Sequence, residues 1–291
     1  MAGFFIGMVI LPLSLPSQEQ AKKPGNLIGL LEFDNDPEIF FGHKVRVAFE
    51  KDDKGWKAFP HDIHTAQELA HSLSGFPAAV TWHICFDGKV IGSLSSHSPE
   101  RINFYAQIGQ HDIPENIILP VYGTPSLRFG GWTRGKVYRP LVLNTQPWAK
   151  DYDQWRPYSP PDTEVARVVK FLQKEWGEAE AKSGKEEIEQ NQSYMSRARG
   201  IKLINLSMKK WQNAPEAGEN DYWPYMAGVV CIVKKDKILY LDYGLDLIDA
   251  GDYDNDGKSE LIFMVQKYNY DGYKLFFNDY QNFVEFGWHY H

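Results

Sequence analysis

Two apolar runs, Leu247-Ile248-Asp249-Ala250-Gly251 and Leu261-Ile262-Phe263-Met264-Val265, flank a nine-residue polar stretch, Asp252-Tyr253-Asp254-Asn255-Asp256-Gly257-Lys258-Ser259-Glu260. Short apolar runs bounded by turn residues read as strands rather than helices. The pattern therefore fixes a strand–loop–strand unit, and with it a sheet, near the C-terminal end of the chain. Counted from Asp252, carboxylates fall at positions 1, 3, 5 and 9 and glycine at position 6. Side chains at alternate positions of a curling loop converge on one point. Gly257 permits the left-handed turn that swings the Lys258 carbonyl inward. Calcium takes about six to eight oxygens at about 2.3–2.6 Å in a flexible shell. The spacing thus predicts a Ca2+ site built from Asp252, Asp254, Asp256, the Lys258 carbonyl and Glu260. Two unit charges 4 Å apart repel by roughly 4 kcal/mol at an effective dielectric near 20, so a cation is the economical reason for such crowding. Magnesium, which prefers a stiff octahedron and keeps its waters, fits less well. A merely acidic turn is the alternative.

The loop is not an EF-hand. That site needs a bidentate glutamate at position 12 and a following helix, whereas position 12 here is Phe263, inside an apolar strand. Asp252, Asp254, Asp256 and Gly257, with Glu260 in place of a final aspartate, resemble the Asp-x-Asp-x-Asp-Gly-x-x-Asp loops of FG-GAP/VCBS repeats. The resemblance covers Leu247 to Val265 and occurs once in the chain. It implies secretion, structural calcium and a role in binding rather than catalysis. It also implies an integrin-α-type β-propeller, either as one degenerate propeller or as a single repeat set in another fold.

Strand and turn signals dominate elsewhere. Val45–Phe49 alternates, Asp52-Asp53-Lys54-Gly55 turns, and Trp56 starts the return. Ala79–Phe86 and Lys89–Leu94 flank Asp87-Gly88, a two-residue turn whose members tolerate positive φ. Further strands are expected at Ile117–Tyr122, Lys136–Leu143, Val229–Val233, Ile238–Leu241, Tyr273–Phe277 and Phe283–Tyr290. In the last of these, Val284, Phe286, Trp288 and Tyr290 share a face. Two helices interrupt the series. One covers His61–Leu73. The other follows Pro160-Pro161, with Asp162 as cap and Val165, Val168, Val169, Leu172 and Trp176 as an apolar stripe. Glu178–Gln192 is highly charged and reads as a solvated helical or flexible segment.

The fold class is therefore mainly β with a helical insertion, arranged like a β-propeller or, alternatively, as a β-sandwich or two β subdomains. The expected organisation is a signal peptide over 1–17, a linker over 18–25, a β-rich region over 26–160, a helical segment over 161–200 and a C-terminal β region over 201–291 that carries the loop. The apolar run at residues 4–16 has signal-peptide length and is too short to span a bilayer. It lacks a preceding Lys or Arg, and a buried N-terminal strand is its alternative reading.

A net charge of −7, with no dense basic tract, argues against a nucleic-acid groove. Cys85 and Cys231, each inside an apolar run, are either two buried free thiols or a long-range disulfide. Weaker constellations are Asp34/Asp36/Glu38, which lacks the glycine; His61/His64/Glu68/His71, one polar side of a helix; His289/His291 at the chain end; and Gly130-Gly131-Trp132 with Trp148, Trp155 and Trp223 as sugar-stacking candidates. No Gly-x-Ser-x-Gly motif or phosphate loop is present. These readings lead to an exported, periplasmic or extracellular calcium-binding protein with a structural or ligand-binding role. Its expected partner is a protein or carbohydrate, with no nucleic acid and no integral membrane span. The alternative is a secreted hydrolase acting on carbohydrate or cell-envelope polymer, with calcium still structural.

Overall fold

The computed structural model describes residues 25–34, 42–59, 80–96, 110–112, 132–133, 137–138, 140–176, 188–190, 192–208, 228–267 and 269–289. In chain order the elements are β1 (Asn26–Asp34), β2 (Gly42–Asp52), β3 (Gly55–Ala58), β4 (Val80–Phe86), β5 (Lys89–Ser96), β6 (Gln110–Asp112), β7 (Trp132–Thr133), β8 (Val137–Tyr138) and β9 (Leu141–Asn144). There follow β10 (Trp155–Tyr158), helix α1 (Asp162–Trp176), β11 (Ile188–Gln190), β12 (Ser193–Ser196), β13 (Lys202–Met208), β14 (Gly228–Lys234) and β15 (Lys237–Tyr243). The chain ends in β16 (Leu245–Gly251), β17 (Glu260–Lys267), β18 (Tyr270–Phe277) and β19 (Asn282–His289).

These strands form an N-terminal sheet in the order β3-β2-β1-β9-β4-β5, with β6 against β2. A helix-backed sheet runs β10-β12-β13-β14-β15, with β11 against β13, and a C-terminal sheet is the plain meander β16-β17-β18-β19. A small β7-β8 ribbon is separate. All pairings are antiparallel, and no sheet closes on itself.

The local chemistry explains the connections. Asp87 and Gly88 both take positive φ, 52° and 73°, which gives the β4–β5 hairpin the twist its strands need. At the β2–β3 turn the Asp52 carboxylate accepts the Lys54 amide at 2.8 Å, an Asx-type closure. Helix α1 begins one residue earlier than a cap at Asp162 would place it. The Val165 amide bonds the Pro161 carbonyl, so Pro161 is the cap and Asp162 the first helical residue. Asp162 and Glu164 in the first turn and Lys174 in the last then suit the helix dipole.

The layers stack through alternating faces. Val168 and Leu172 of α1 pack on Ile204, Leu206, Val229, Cys231 and Val233. The opposite face of that sheet, with Leu203, Val230 and Ile232, meets Leu247, Leu261, Phe263, Val265 and Phe276 of the C-terminal sheet. The other face of the C-terminal sheet, with Ile262, Tyr273, Leu275 and Phe286, packs on Ile28, Leu30, Val45, Val47 and Leu143. The C-terminal sheet is thus buried on both sides, which is why β17 reads as a continuous apolar run instead of an alternation. A bulge between Leu247 and Asp249 in β16 lets Leu247 and Ala250 face one layer and Ile248 the other. Across the interface with the N-terminal sheet, Glu32 accepts from Arg46 Nε at 2.7 Å and from the Tyr273 hydroxyl at 2.6 Å, and the Arg46 guanidinium lies 4.2 Å from the Trp288 ring centroid.

The mainly β class with an inserted helix is what the sequence leads one to expect. The arrangement, however, is a layered stack of open sheets, consistent with the sandwich alternative and not displaying a ring of blades. Residues 188–190 and 193–196, within the span read as helical, are strands. Ile188–Gln190 pairs with Leu206–Met208 through its backbone, off the main path of the sheet. The expected strand at Lys136–Leu143 divides into β8 and β9 on either side of Pro140, which cannot donate to a ladder. The expected helix at His61–Leu73, the strand at Ile117–Tyr122 and the apolar run at 4–16 lie outside the described residues. No helix among the described residues is long and apolar enough to cross a membrane.

A buried ion-pair cluster joins the helix-backed and C-terminal sheets. Lys274, 3% exposed, lies 2.5 Å from Asp242 and 2.7 Å from Glu285, and Lys267 also reaches Asp242 at 3.0 Å. Burial works to raise the Asp242 carboxyl. The hydrogen bond from Lys274 and the charges of Lys274 and Lys267 outweigh it, so the group is held below its ordinary 3.8. A depressed native pKa contributes stability that is full above the unfolded value and lost as pH falls through the native one. Asp242→Asn should therefore cost about 3 kcal/mol at neutral pH, because it strips a buried lysine of one partner. Urea unfolding should show that difference narrowing as the pH drops below 3.8.

Candidate metal centre

The loop between β16 and β17 is built on a tight backbone curl. Asn255 and Gly257 take φ of 62° and 86°. Asparagine and glycine are the residues that adopt such angles at least cost. The curl aims amides inward. Asp252 accepts the Asp256 amide at 3.1 Å on Oδ1 and the Gly257 amide at 3.0 Å on Oδ2. Asp254 Oδ1 also accepts the Asp256 amide at 3.1 Å, and Asp256 Oδ1 accepts the Lys258 amide at 2.8 Å. Glu260, the first residue of β17, accepts the Tyr253 amide at 2.8 Å on Oε2. These bonds fix the rotamers that bring the side chains together.

Ligand atoms of Asp252, Asp254 and Glu260 all lie within 4.8 Å of one another. Asp252 and Glu260 are each 2% exposed. Burial drives the Glu260 carboxyl well above its ordinary value, the charges of Asp254, Asp252 and Asp256 add to the effect, and the Tyr253 amide opposes it. Burial also raises Asp252. The amides of Gly257, Asp256 and Asn255 counter that, and the Asp254 charge reinforces it. Three hard oxygen donors crowded in a half-dry pocket match the chemistry of a calcium or similar cation. The five residues singled out from sequence divide accordingly. Asp252, Asp254 and Glu260 form the tight group, whereas Asp256 and Lys258 stand exposed on the rim.

Sequence reasoning did not reveal what holds the loop in place. The Tyr253 carbonyl accepts from Asn26 Nδ2 at 2.5 Å and from Asn144 Nδ2 at 2.9 Å, which ties the loop to β1 and β9. Trp56 Nε1, from β3, donates to Asp254 Oδ2 at 3.1 Å, and Lys51, from β2, contacts the same oxygen. From the other side the Asp252 amide bonds the Lys150 carbonyl at 2.8 Å, and Gly251 lets Ala149 approach so closely that a Cβ would lie 2.6 Å from its carbonyl oxygen. Asp151 accepts the amides of Asp153, Gln154 and Trp155 and the Ser259 hydroxyl at 2.9–3.0 Å, which links the loop to β10. Beyond it, Asp153 and the buried Tyr280 hydroxyl meet Arg199, and the β18–β19 turn holds Asn278, Asp279 and Tyr280 all at positive φ. These partners come from distant parts of the chain, and none sits in a recognisable motif.

The weaker constellations do not gather into sites among the described residues. Asp34 ends β1, while Asp36, Glu38, His61, His64, Glu68, His71, Gly130, Gly131, Trp223 and His291 lie outside the description. His289 is exposed against the Tyr270 ring, 4.8 Å between centroids. Trp155 is fully buried against Tyr280 and so offers no stacking face, and Trp148 is half-buried. Cys85 and Cys231 are free, buried thiols in different core clusters, and burial pushes Cys231 up to about 12.

Asn144 is the test of the docking. Asn144→Ala takes from the Trp148 carbonyl its amide donor and from the Tyr253 carbonyl one of two, leaving Asn26. The expected cost is about 2–3 kcal/mol in equilibrium unfolding, with faster amide exchange at Asp256 and Gly257.

Compared with known proteins, the chain matches no family model, no curated protein and no solved structure.

Proposed function

We propose that this chain is an exported calcium-binding β protein whose ion pins the Asp252–Glu260 loop and so orders the contact between the N-terminal and C-terminal sheets. The role is structural or ligand-binding, toward a protein or carbohydrate, and not catalytic. The observation that supports it is the convergence of the Asp252, Asp254 and Glu260 carboxylates within 4.8 Å, two of them buried at 2% exposure. Buried carboxylates that raise one another's pKa are relieved by a divalent cation. Carboxylate oxygens alone favour calcium over the softer metals that seek nitrogen and sulfur. The remaining ligands would come from Asp256, the Lys258 carbonyl or water, all reachable from the open rim.

Three convergent carboxylates on a short loop suit an affinity in the weak extracellular class, roughly 10⁻⁴–10⁻³ M, which matches a compartment rich in calcium. The strand–loop–strand form supports the FG-GAP/VCBS resemblance for this hairpin. The layered packing of the sheets supports a single such hairpin inside a sandwich over the propeller that the resemblance implies.

Thermal unfolding with calcium and with a chelator tests the reading. Calcium at about 100 times its Kd should add about 2.7 kcal/mol, roughly 5–10 °C in Tm for a chain of this size. The double variant Asp254→Ala with Asp256→Ala should lose the shift. An unchanged Tm at about 100 times the weakest Kd of that class, on the order of 0.1 M calcium, would refute a structural ion at this loop.

A further inference from the structure

Lys51 approaches the carboxylate group from the opposite side of the sheet interface. Its Nζ contacts Asp254 Oδ2, the oxygen that also takes the Trp56 indole N–H, and stands 5.7 Å from the Trp56 ring centroid. The Lys51 side chain keeps 30% of its surface in water, against 4% for Asp254. The ammonium therefore has a route to solvent that the carboxylate lacks. Asp254 Oδ1 is occupied by the Asp256 amide. A divalent ion coordinated by Asp254, whether through the second lone pair of Oδ1 or through the oxygen that Lys51 now holds, stands at close range to a second positive charge, where like charges repel strongly. Among the described residues, the other two carboxylates of the group have no such flexible cation as a hydrogen-bond partner. Asp252 is bonded to amides of its own loop and Glu260 to the Tyr253 amide.

We propose that Lys51 is a tethered counter-ion that competes with the divalent cation for Asp254, sets the affinity of the loop, and swings to solvent when the ion binds. This rests on the calcium reading above. The ammonium offsets the Asp254 charge when calcium is scarce and keeps the loop docked on β2. Ion binding is then an exchange of one cation for another at a preformed site. The single charge of Lys51 against the double charge of the ion makes the exchange favourable only above a threshold concentration, and that threshold is a property of β2 as much as of the loop.

The test titrates calcium chloride calorimetrically into the full-length chain, Lys51→Met and Lys51→Arg. Lys51→Met keeps the apolar stem over Trp56 and removes the charge, so it should bind calcium at least about tenfold more tightly, within the usual range of coupling between sites. It should also melt below wild type in chelator. Lys51→Arg, which keeps the charge, should stay close to wild type. In the wild-type chain, acylation of the Lys51 amine, read by mass spectrometry, should rise when calcium is added. Equal calcium affinity in wild type and Lys51→Met overturns the competition while leaving the calcium site standing. If Lys51→Met does not fold, unchanged Lys51 acylation in a wild-type chain that demonstrably binds calcium overturns it equally. No binding heat in any of the chains overturns the calcium reading and this proposal with it.

Discussion

The C-terminal sheet has no face of its own in water, and the rest of the structure is organised around that condition. A four-stranded meander packed on both sides needs two partners, and the N-terminal and helix-backed sheets supply them. Apolar burial is non-directional, so register has to come from elsewhere. It comes from polar groups placed at the layer boundaries, namely Arg46–Glu32–Tyr273 on one side and Asp242–Lys274–Glu285 on the other. Within these two clusters each buried charge is matched by an opposite one, which fixes how the layers slide because a mismatched register would leave an ion unpaired in a dry interface.

The acidic loop is the turn between β16 and β17 of the C-terminal sheet, and it reaches the N-terminal sheet at Asn26, Lys51, Trp56 and Asn144. Its backbone satisfies its own carboxylates through short amide bonds, and its Tyr253 carbonyl is held by two asparagines from the N-terminal sheet. The electrostatic tension inside the loop therefore does not come from missing hydrogen bonds. It comes from like charges held close in a place where water cannot separate them, which is why Glu260 is raised by its neighbours as well as by burial. The loop is rigid enough to keep the tension and open enough, at Asp256 and Lys258, for an ion to reach it.

Much of this was legible in the sequence wherever the information is local. The Asp87-Gly88 and Asp52–Gly55 turns, the apolar stripe of α1, the shared face of Val284, Phe286 and Trp288, and the spacing of the loop carboxylates all depend on neighbours within a few residues. Layer order did not show, because an apolar strand face does not specify which other apolar face it will meet. The charged strand Ile188–Gln190 was hidden because at the margin of a sheet the backbone, not the side chains, makes the pairing. Of the candidate site, the converging carboxylates could be read and the supports could not. Nothing around Lys51, Trp56, Asn26 or Asn144 announces a partner near residue 253. A single lysine or asparagine carries no spacing signal.

The anchors of Tyr253 and Asp254 have a consequence for the order in which the chain can become itself. Asn26 is 227 positions from Tyr253, Lys51 is 203 from Asp254, and Asn144 is 109 from Tyr253. Contacts of such sequence separation form late, since the intervening chain must lose its freedom before they return anything. A nascent chain emerging from its N-terminal end presents the inner face of the first sheet, with Ile28, Leu30, Val45 and Val47, long before β17 and β18 arrive to cover it. The carboxylate loop, by contrast, is made after the strands that seat it. Its seating marks the moment when the N-terminal and C-terminal sheets have met, so a cation held there would report that the two sheets are docked.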